Sequence, residues 1–145
     1  MASLKDFLED KNYTFVKLEV LPTNHLALEI KLNGVKAKFI LDTGASSSCV
    51  DLAAMESFGI YSADGTIQAA GAGDGDMQGE ISRGNRLRIG SWKWKNMDVV
   101  LLDLSHVNHA LTREGLEPIL GIIGADVLQR SKAIIDYKKH RLFLR

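Results

Sequence analysis

The sequence contains a single cysteine, two prolines and no apolar run long enough to cross a membrane as a helix. Cys49 cannot form an internal disulfide, so the expected location is a reducing cytoplasm, although a chain that had lost an upstream signal or anchor would look the same. Eighteen Lys and Arg residues balance eighteen Asp and Glu residues, which leaves no net positive charge for nucleic acid or an anionic membrane. We therefore expect neither of these as a partner.

The chain has the length and composition of one globular domain. It has 145 residues, 46% of them hydrophobic and 25% charged, which suffices for a core of its own. Alternating apolar and polar residues predict strands, and Asn33-Gly34 predicts a type I′ hairpin turn between two of them. The predicted strands cover residues 13–20, 26–32, 35–41, 65–70, 81–89 and 92–104, and a final hairpin joins residues 133–137 to 141–144. Short helices are predicted over residues 3–10, 50–58, 104–115 and 126–130.

Apolar spacing also predicts which helix and strand faces are buried. Three sets of residues should each share one face: Leu4, Phe7 and Leu8; Leu104, Val107 and Leu111; and Trp92 with Trp94. The two tryptophans are typical of a half-buried strand end, and without a basic groove we discount base stacking. The helix over residues 50–58 should be capped from the preceding serines and should stop at Gly59.

The most informative stretch is the end of the apolar strand 35–41, which runs directly into Asp42, Thr43 and Gly44. An acid at the end of a buried strand is costly unless it is paired or hydrogen-bonded, and catalysis is one reason to keep it there. The alternative is that Asp42 caps a helix or turns the chain at the surface. The triplet alone does not decide between these interpretations.

A second motif repeats this plan about eighty residues later. Residues 119–128 again form an apolar strand that ends in a glycine, Gly124, and runs into a short helix containing Asp126. The chain thus contains two variations on one supersecondary unit.

These two motifs, residues 41–46 and residues 122–128 followed by Ile135-Asp136-Tyr137, resemble those of the retropepsin-like aspartic peptidases. The resemblance is greatest to single-domain cellular and bacterial members, including Ddi1-type domains. It covers residues 24–145 and leaves residues 1–23 as a lead-in helix and strand. The implied fold is mainly β: a closed β-barrel of the acid protease type with short helices, one lobe per chain.

The resemblance implies roles for the first motif and for the glycine-rich segment 71–79. Asp42 would be the general acid/base, Thr43 would brace two loops, Gly44 would let the backbone approach the carboxylate, and Ala45 would lie near the substrate backbone. A flap would cover the substrate with Ala70, Gly71, Ala72 and Gly73. The position of Asp126 would be structural, and no metal or organic cofactor is implied.

Other interpretations of the segment 71–79 are weaker. The spacing of its glycines fails as a dinucleotide fingerprint, and Asn85 stands where a calcium loop needs glutamate. A mobile hairpin tip is compatible with a flap. Asp74 and Asp76 depart from the uncharged flap tips of viral enzymes, so we expect them either to loosen closure near neutral pH or to select basic substrates.

A single Asp-Thr-Gly supplies one carboxylate, whereas this class of peptidase uses two that share a proton. A chain of this length is too short for two lobes, so the resemblance implies a homodimer that hydrolyses an extended peptide, with Asp42 facing its copy. The alternative is a non-catalytic peptide-binding or dimerisation module on the same fold. A zinc hydrolase built on His106 and His109 lacks a third ligand. The last strand, residues 141–144, either joins the dimer or stays within its own subunit.

Overall fold

The computed structural model describes residues 2–61, 67–69 and 79–145. The helices are α1 (Leu4–Glu9), α2 (Ser105–Arg113) and α3 (Ala125–Arg130), with a 3₁₀ helix at Leu52–Phe58. The strands are β1 (Thr14–Lys17), β2 (Glu19–Val20), β3 (Leu26–Leu32), β4 (Val35–Leu41), β5 (Cys49–Asp51), β6 (Ile67–Ala69), β7 (Glu80–Ile89), β8 (Trp92–Leu102), β9 (Gly121–Ile123), β10 (Ile134–Asp136) and β11 (Arg141–Leu144). The predicted mainly β class with short helices is confirmed.

Six strands form a closed barrel. They follow the order β3-β4-β9-β5-β8-β7, and β7 pairs back onto β3 to complete the circle. In β3 and β7 apolar and polar residues alternate, so that Ile30, Leu32, Leu87 and Ile89 fill the core while the residues between them face water. Closure removes the exposed edges of an open sheet, and it confirms the predicted barrel.

The hairpin between β3 and β4 forms where the sequence predicts it. Asn33 and Gly34 have φ angles of 54° and 85°, as a type I′ turn requires. The two strands pair along their whole length, from Leu26 opposite Leu41 to Leu32 opposite Val35. This register carries β4 to the rim of the barrel, where Asp42 follows it.

A second sheet joins the two ends of the chain. Its order is β1-β11-β10, so β11 is paired on both edges within its own chain. Of the two arrangements open for the last strand, the structure has the one that keeps it in its own subunit. Strand β1, which belongs to the predicted lead-in, supplies one of its two partners.

One helix differs from its prediction. The helix expected over residues 50–58 starts late because residues Cys49–Asp51 form β5, which pairs in parallel with β8. Asp51, not a serine, caps the 3₁₀ helix by accepting a hydrogen bond from the Ala53 N–H at 3.4 Å. The predicted stop is confirmed, because Gly59 has a φ of 72°.

The predicted buried faces are partly wrong. Leu8, Leu104 and Leu111 are buried, but Phe7 is 53% exposed and Val107 is 44% exposed. Each of these short helices buries less than one full apolar stripe. The prediction for the two tryptophans is confirmed, because both are half-buried and pack against the core.

Among the described residues, no helix is long and apolar enough to span a membrane.

Candidate active site

The two glycine motifs meet at one end of the barrel. Strands β4 and β9 lie side by side and parallel, with Leu41 opposite Ile123. Just beyond this pair, the Asp42 N–H donates to the Ile123 carbonyl at 2.9 Å. The loop that carries Asp42 is therefore anchored to the second motif by its backbone.

The carboxylate of Asp42 is held by its own loop. Its Oδ1 accepts a hydrogen bond from the Gly44 N–H at 2.8 Å, and the Asp42 carbonyl accepts one from the Ala45 N–H at 3.2 Å. Asp42, Thr43 and Gly44 are exposed in the single chain, so the expectation of a buried acid is wrong at this level. The reason is that β4 ends at the rim, one residue before the acid.

Gly124 brings the second motif against Ala45. The Ala125 N–H donates to the Ala45 carbonyl at 2.7 Å, and a Cβ at Gly124 would lie 2.6 Å from the same oxygen. Only glycine permits this approach. Ala45, the predicted substrate-binding residue, is thus fixed next to Asp42 by a contact from about eighty residues away in the chain.

Ser48 and Asp126 lock the two loops together. The Ser48 hydroxyl donates to Asp126 Oδ1 at 2.7 Å and its N–H donates to Oδ2 at 3.0 Å. The same hydroxyl accepts from the Gly124 N–H at 2.9 Å, and Asp126 Oδ1 also accepts from the Val127 N–H at 2.8 Å. Every one of these partners is internal, which fits the structural part that the sequence assigns to Asp126. Sequence reasoning missed Ser48.

A second buried acid, also missed, ties α2 to the barrel. Asp51 accepts hydrogen bonds from the Leu104 N–H and from the Asn108 side-chain amide, each at 3.2 Å. The Asn108 amide oxygen in turn accepts from the Ile119 N–H at 2.7 Å. Because Ile119 directly precedes the β9 region, this network positions the strand that supports Asp42.

Cys49 lies in β5 beside this region and is 3% exposed. Loss of water around the sulfur raises the pKa of the thiol; with a lowering backbone hydrogen bond at Ile122 and smaller raising effects of the Asp51, Asp126 and Asp42 charges, the pKa is about 11. A thiol in this state is neutral and unreactive near neutral pH. The prediction that Cys49 is a small buried residue is confirmed.

The structure gives different outcomes for the other candidate residues. His106 and His109 are exposed on α2, and the described part of the chain holds no group of three metal-ligating side chains. The Thr43 hydroxyl makes no hydrogen bond within the described residues. The predicted flap residues Ala70, Gly71, Ala72 and Gly73 lie outside the described residues, as do Asp74 and Asp76.

A family model described as aspartyl protease matches residues 28–127, a span that includes both glycine motifs. The chain belongs to the aspartyl protease family. No curated protein matches it in sequence.

Solved structures share the fold of this aspartyl protease. A retropepsin-like aspartic protease from Rickettsia conorii has a TM-score of 0.63 at 19% identity, over 91% of this chain and 90% of the other. The retroviral protease-like domain of Ddi1 from Leishmania major has a TM-score of 0.60 at 18% identity, over 83% and 87%. The EIAV protease in complex with the inhibitor HBY-793 has a TM-score of 0.53 at 17% identity, over 76% and 90%. The resemblance stated from the two motifs is confirmed.

Proposed function

We propose that this aspartyl protease is an endopeptidase whose Asp42 activates water for hydrolysis of peptide bonds. The observation that carries the proposal is the geometry of Asp42, an accessible carboxylate held by the Gly44 N–H at 2.8 Å on a loop anchored to β9. A catalytic group works best when a rigid element holds its position, and a closed barrel is such an element.

A single chain contributes half of this site. Within the proposal, a two-fold axis brings Asp42 of one chain against Asp42 of a second copy. Two neighbouring carboxylates resist ionising together, so the pair keeps one proton between them. Thr43 is exposed and its hydroxyl has no partner within the described part of its own chain, so it is then available to brace the loop of the other copy.

The shared proton sets the roles of the two acids. The ionised carboxylate takes a proton from a water molecule as its oxygen attacks the peptide carbonyl carbon, while the protonated acid donates a hydrogen bond to the carbonyl oxygen. The resulting tetrahedral intermediate breaks its C–N bond as the nitrogen receives a proton from the dyad. No metal or organic cofactor takes part in this sequence.

The substrate in this proposal is an extended peptide that pairs with backbone groups as an added strand. Ala45 lies next to Asp42 and would contact the peptide backbone. Ala70, Gly71, Ala72 and Gly73 would close over the peptide from the opposite side.

The test is cleavage of a mixed peptide library from mildly acidic to neutral pH by the wild type and by Asp42→Asn, with the oligomeric state measured in the same buffers. The matched control is Asp10→Asn, because Asp10 is an exposed acid at the end of α1, away from the rim. We expect dimers throughout and cleavage by the wild type and the control only.

Mixing adds a test of the shared dyad. Excess Asp42→Asn chains should suppress wild-type activity by forming mixed dimers with one carboxylate, whereas excess Asp10→Asn chains should add activity. A folded dimer that cuts no peptide at any pH would support the alternative binding module, and cleavage that survives Asp42→Asn would exclude the proposed role of Asp42.

A further inference from the structure

The outer face of the barrel carries a row of cations where the barrel closes. Lys31 on β3 lies directly opposite Arg88 on β7, and Arg88 lies directly opposite Lys93 on β8. Residues opposite each other in antiparallel strands share a face, and all three are exposed. Three positive side chains therefore stand side by side across three strands.

Further cations extend this row. Arg86 and Lys95 lie on the same outer face, two residues along β7 and β8, and all five cations line one groove of about 380 Å³. We call these five residues the cationic groove. Trp94 also lines it, so the expectation from sequence that no basic groove accompanies the tryptophans is wrong. At its β4 side, Lys36 stands opposite Lys31 and pairs with the carboxylate of Glu29, with 3.4 Å between Nζ and Oε1.

The arrangement is unfavourable for the chain by itself. Like charges directly opposite in neighbouring strands destabilise a sheet. Within the described ranges 2–61, 67–69 and 79–145, no member of the cationic groove makes an ion pair, although the chain has as many acids as bases. Arg88 Nε donates to the neutral Gly90 carbonyl at 3.2 Å, and the Glu29 carboxylate beside Lys31 and Arg88 pairs with Lys36. The positive charge of the groove is thus concentrated on one surface, an arrangement that an anionic ligand would relieve.

We propose that the cationic groove binds an acidic segment of another protein, a run of Asp or Glu side chains in extended conformation. Neighbouring strands are about 4.8 Å apart, so Lys31, Arg88 and Lys93 span about 10 Å, within reach of two or three alternate carboxylates. The groove shares no residue with the Asp42 loop, so this binding does not depend on the proposed peptidase activity.

One observation favours carboxylates over nucleic acid. The aromatic residue beside the groove, Trp94, has the Arg130 guanidinium 4.4 Å from its ring centroid, which covers a face that a base would need for stacking.

The test measures fluorescence anisotropy of a labelled oligoglutamate peptide with the full chain at low ionic strength, with an oligoglutamine peptide of equal length as reference. The variant is Arg88→Gln with Lys93→Gln. The matched control is Lys138→Gln with Lys139→Gln, which removes the same charge from the exposed turn between β10 and β11. Thermal unfolding of each variant reports on folding, and removing two opposed cations should leave the Tm unchanged or raise it.

We expect saturable binding of oligoglutamate but not of oligoglutamine, about tenfold weaker in the Arg88 and Lys93 variant and unchanged in the control. Added salt should weaken the binding. Absence of saturable binding, or equal weakening by both double variants, would overturn the proposal. Tighter binding of an oligothymidylate of equal net charge would overturn the proposal and identify nucleic acid as the preferred ligand of the groove.

Discussion

The Ser48 hydroxyl donates a 2.7 Å hydrogen bond to Asp126, 78 residues away in the sequence, and it also accepts a hydrogen bond from the buried N–H of Gly124. One small side chain, just after the first glycine motif, thus satisfies two groups of the second motif. Removing it leaves a buried donor without a partner, which costs the desolvation of that group.

We therefore expect Ser48→Ala to lower the free energy of unfolding by about 1–3 kcal/mol in urea denaturation. Ser47→Ala is the control, because Ser47 is exposed, and its change should stay within about 0.5 kcal/mol. Equal effects of the two substitutions would mean that the Ser48 hydroxyl contributes nothing specific.

Substituting two glycines should separate stability from activity. In Gly124→Ala the new Cβ meets backbone atoms of Ala45 and Ser47, which cannot move aside, so we expect a loss of at least about 2 kcal/mol. In Gly44→Ala the new Cβ would lie 3.3 Å from Asp42 Oδ1, and the φ of Gly44 is not positive. Its stability should change by less than about 1 kcal/mol, while displacement of the carboxylate lowers peptide cleavage about tenfold or more.

Urea denaturation and cleavage of a fluorogenic peptide would measure both effects. A stable, fully active Gly124→Ala protein would show that the close approach to Ala45 is dispensable. The expected loss of cleavage by Gly44→Ala rests on the proposed catalytic role of Asp42. The expected small change in its stability does not depend on that role.

Cys49 should make stability fall at alkaline pH. Burial raises its folded-state pKa from 9.0 to about 11, so between these values the unfolded chain has lost a proton that the folded chain keeps. Unfolding is then favoured as pH rises. Near pH 10.5 the free energy of unfolding should be about 2 kcal/mol lower than below pH 9 as a result of this thiol.

The measurement is the difference in unfolding free energy between the wild type and Cys49→Ala at about pH 8 and about pH 10.5. Lysines and tyrosines titrate in both proteins, so the difference isolates the thiol. The advantage of wild type over Cys49→Ala should shrink by about 2 kcal/mol at the higher pH. A constant difference would show that the thiol does not resist ionisation in the folded protein.

Asn33 does more than permit the hairpin turn. Its amide nitrogen donates to the Phe58 carbonyl and to Asn85 Oδ1, both at 2.9 Å, and its amide oxygen accepts from the Arg86 N–H at 2.9 Å. Asn33→Gly keeps the positive φ but removes these bonds, so we expect a loss of about 1–3 kcal/mol.

Asn24→Gly is the matched control, since Asn24 has a φ of 68° and an exposed side chain that makes no hydrogen bond with the part of the chain that the structure describes. Both changes add the same backbone freedom to the unfolded chain, so the difference between their midpoints in urea isolates the three bonds. If the two variants unfold at the same urea concentration, the side-chain hydrogen bonds of Asn33 add no stability, and Asn33 contributes only by adopting the positive φ of the turn.

Local chemistry explains which parts were predictable from sequence. The turn at Asn33-Gly34 and the stop at Gly59 follow from backbone preferences of single residues, and both are confirmed. The family resemblance predicted the closed barrel, which no local pattern contains.

What was missed depends on partners far away in the chain. Val50 and Asp51 of strand β5 were assigned to a helix, because only the pairing of this strand with β8 and β9 makes it a strand. The cap formed by Asp51 and the position of Val107 likewise depend on how α2 contacts the barrel. Such contacts follow from the assembled barrel and not from apolar spacing.

The bond between Asp42 and Ile123 also has a consequence during protein synthesis. Strand β4 reaches its parallel partner β9 only after about eighty further residues have been made. At roughly 5–20 residues per second, a nascent chain therefore carries one unpaired edge of β4 for about 4–16 seconds. An exposed edge of this kind can pair with strands of other chains. Nascent chains are therefore more prone to aggregate through β4 than the folded protein, in which β9 covers that edge. The loop that holds the acid is among the last features to form, although its residues are among the first to be translated.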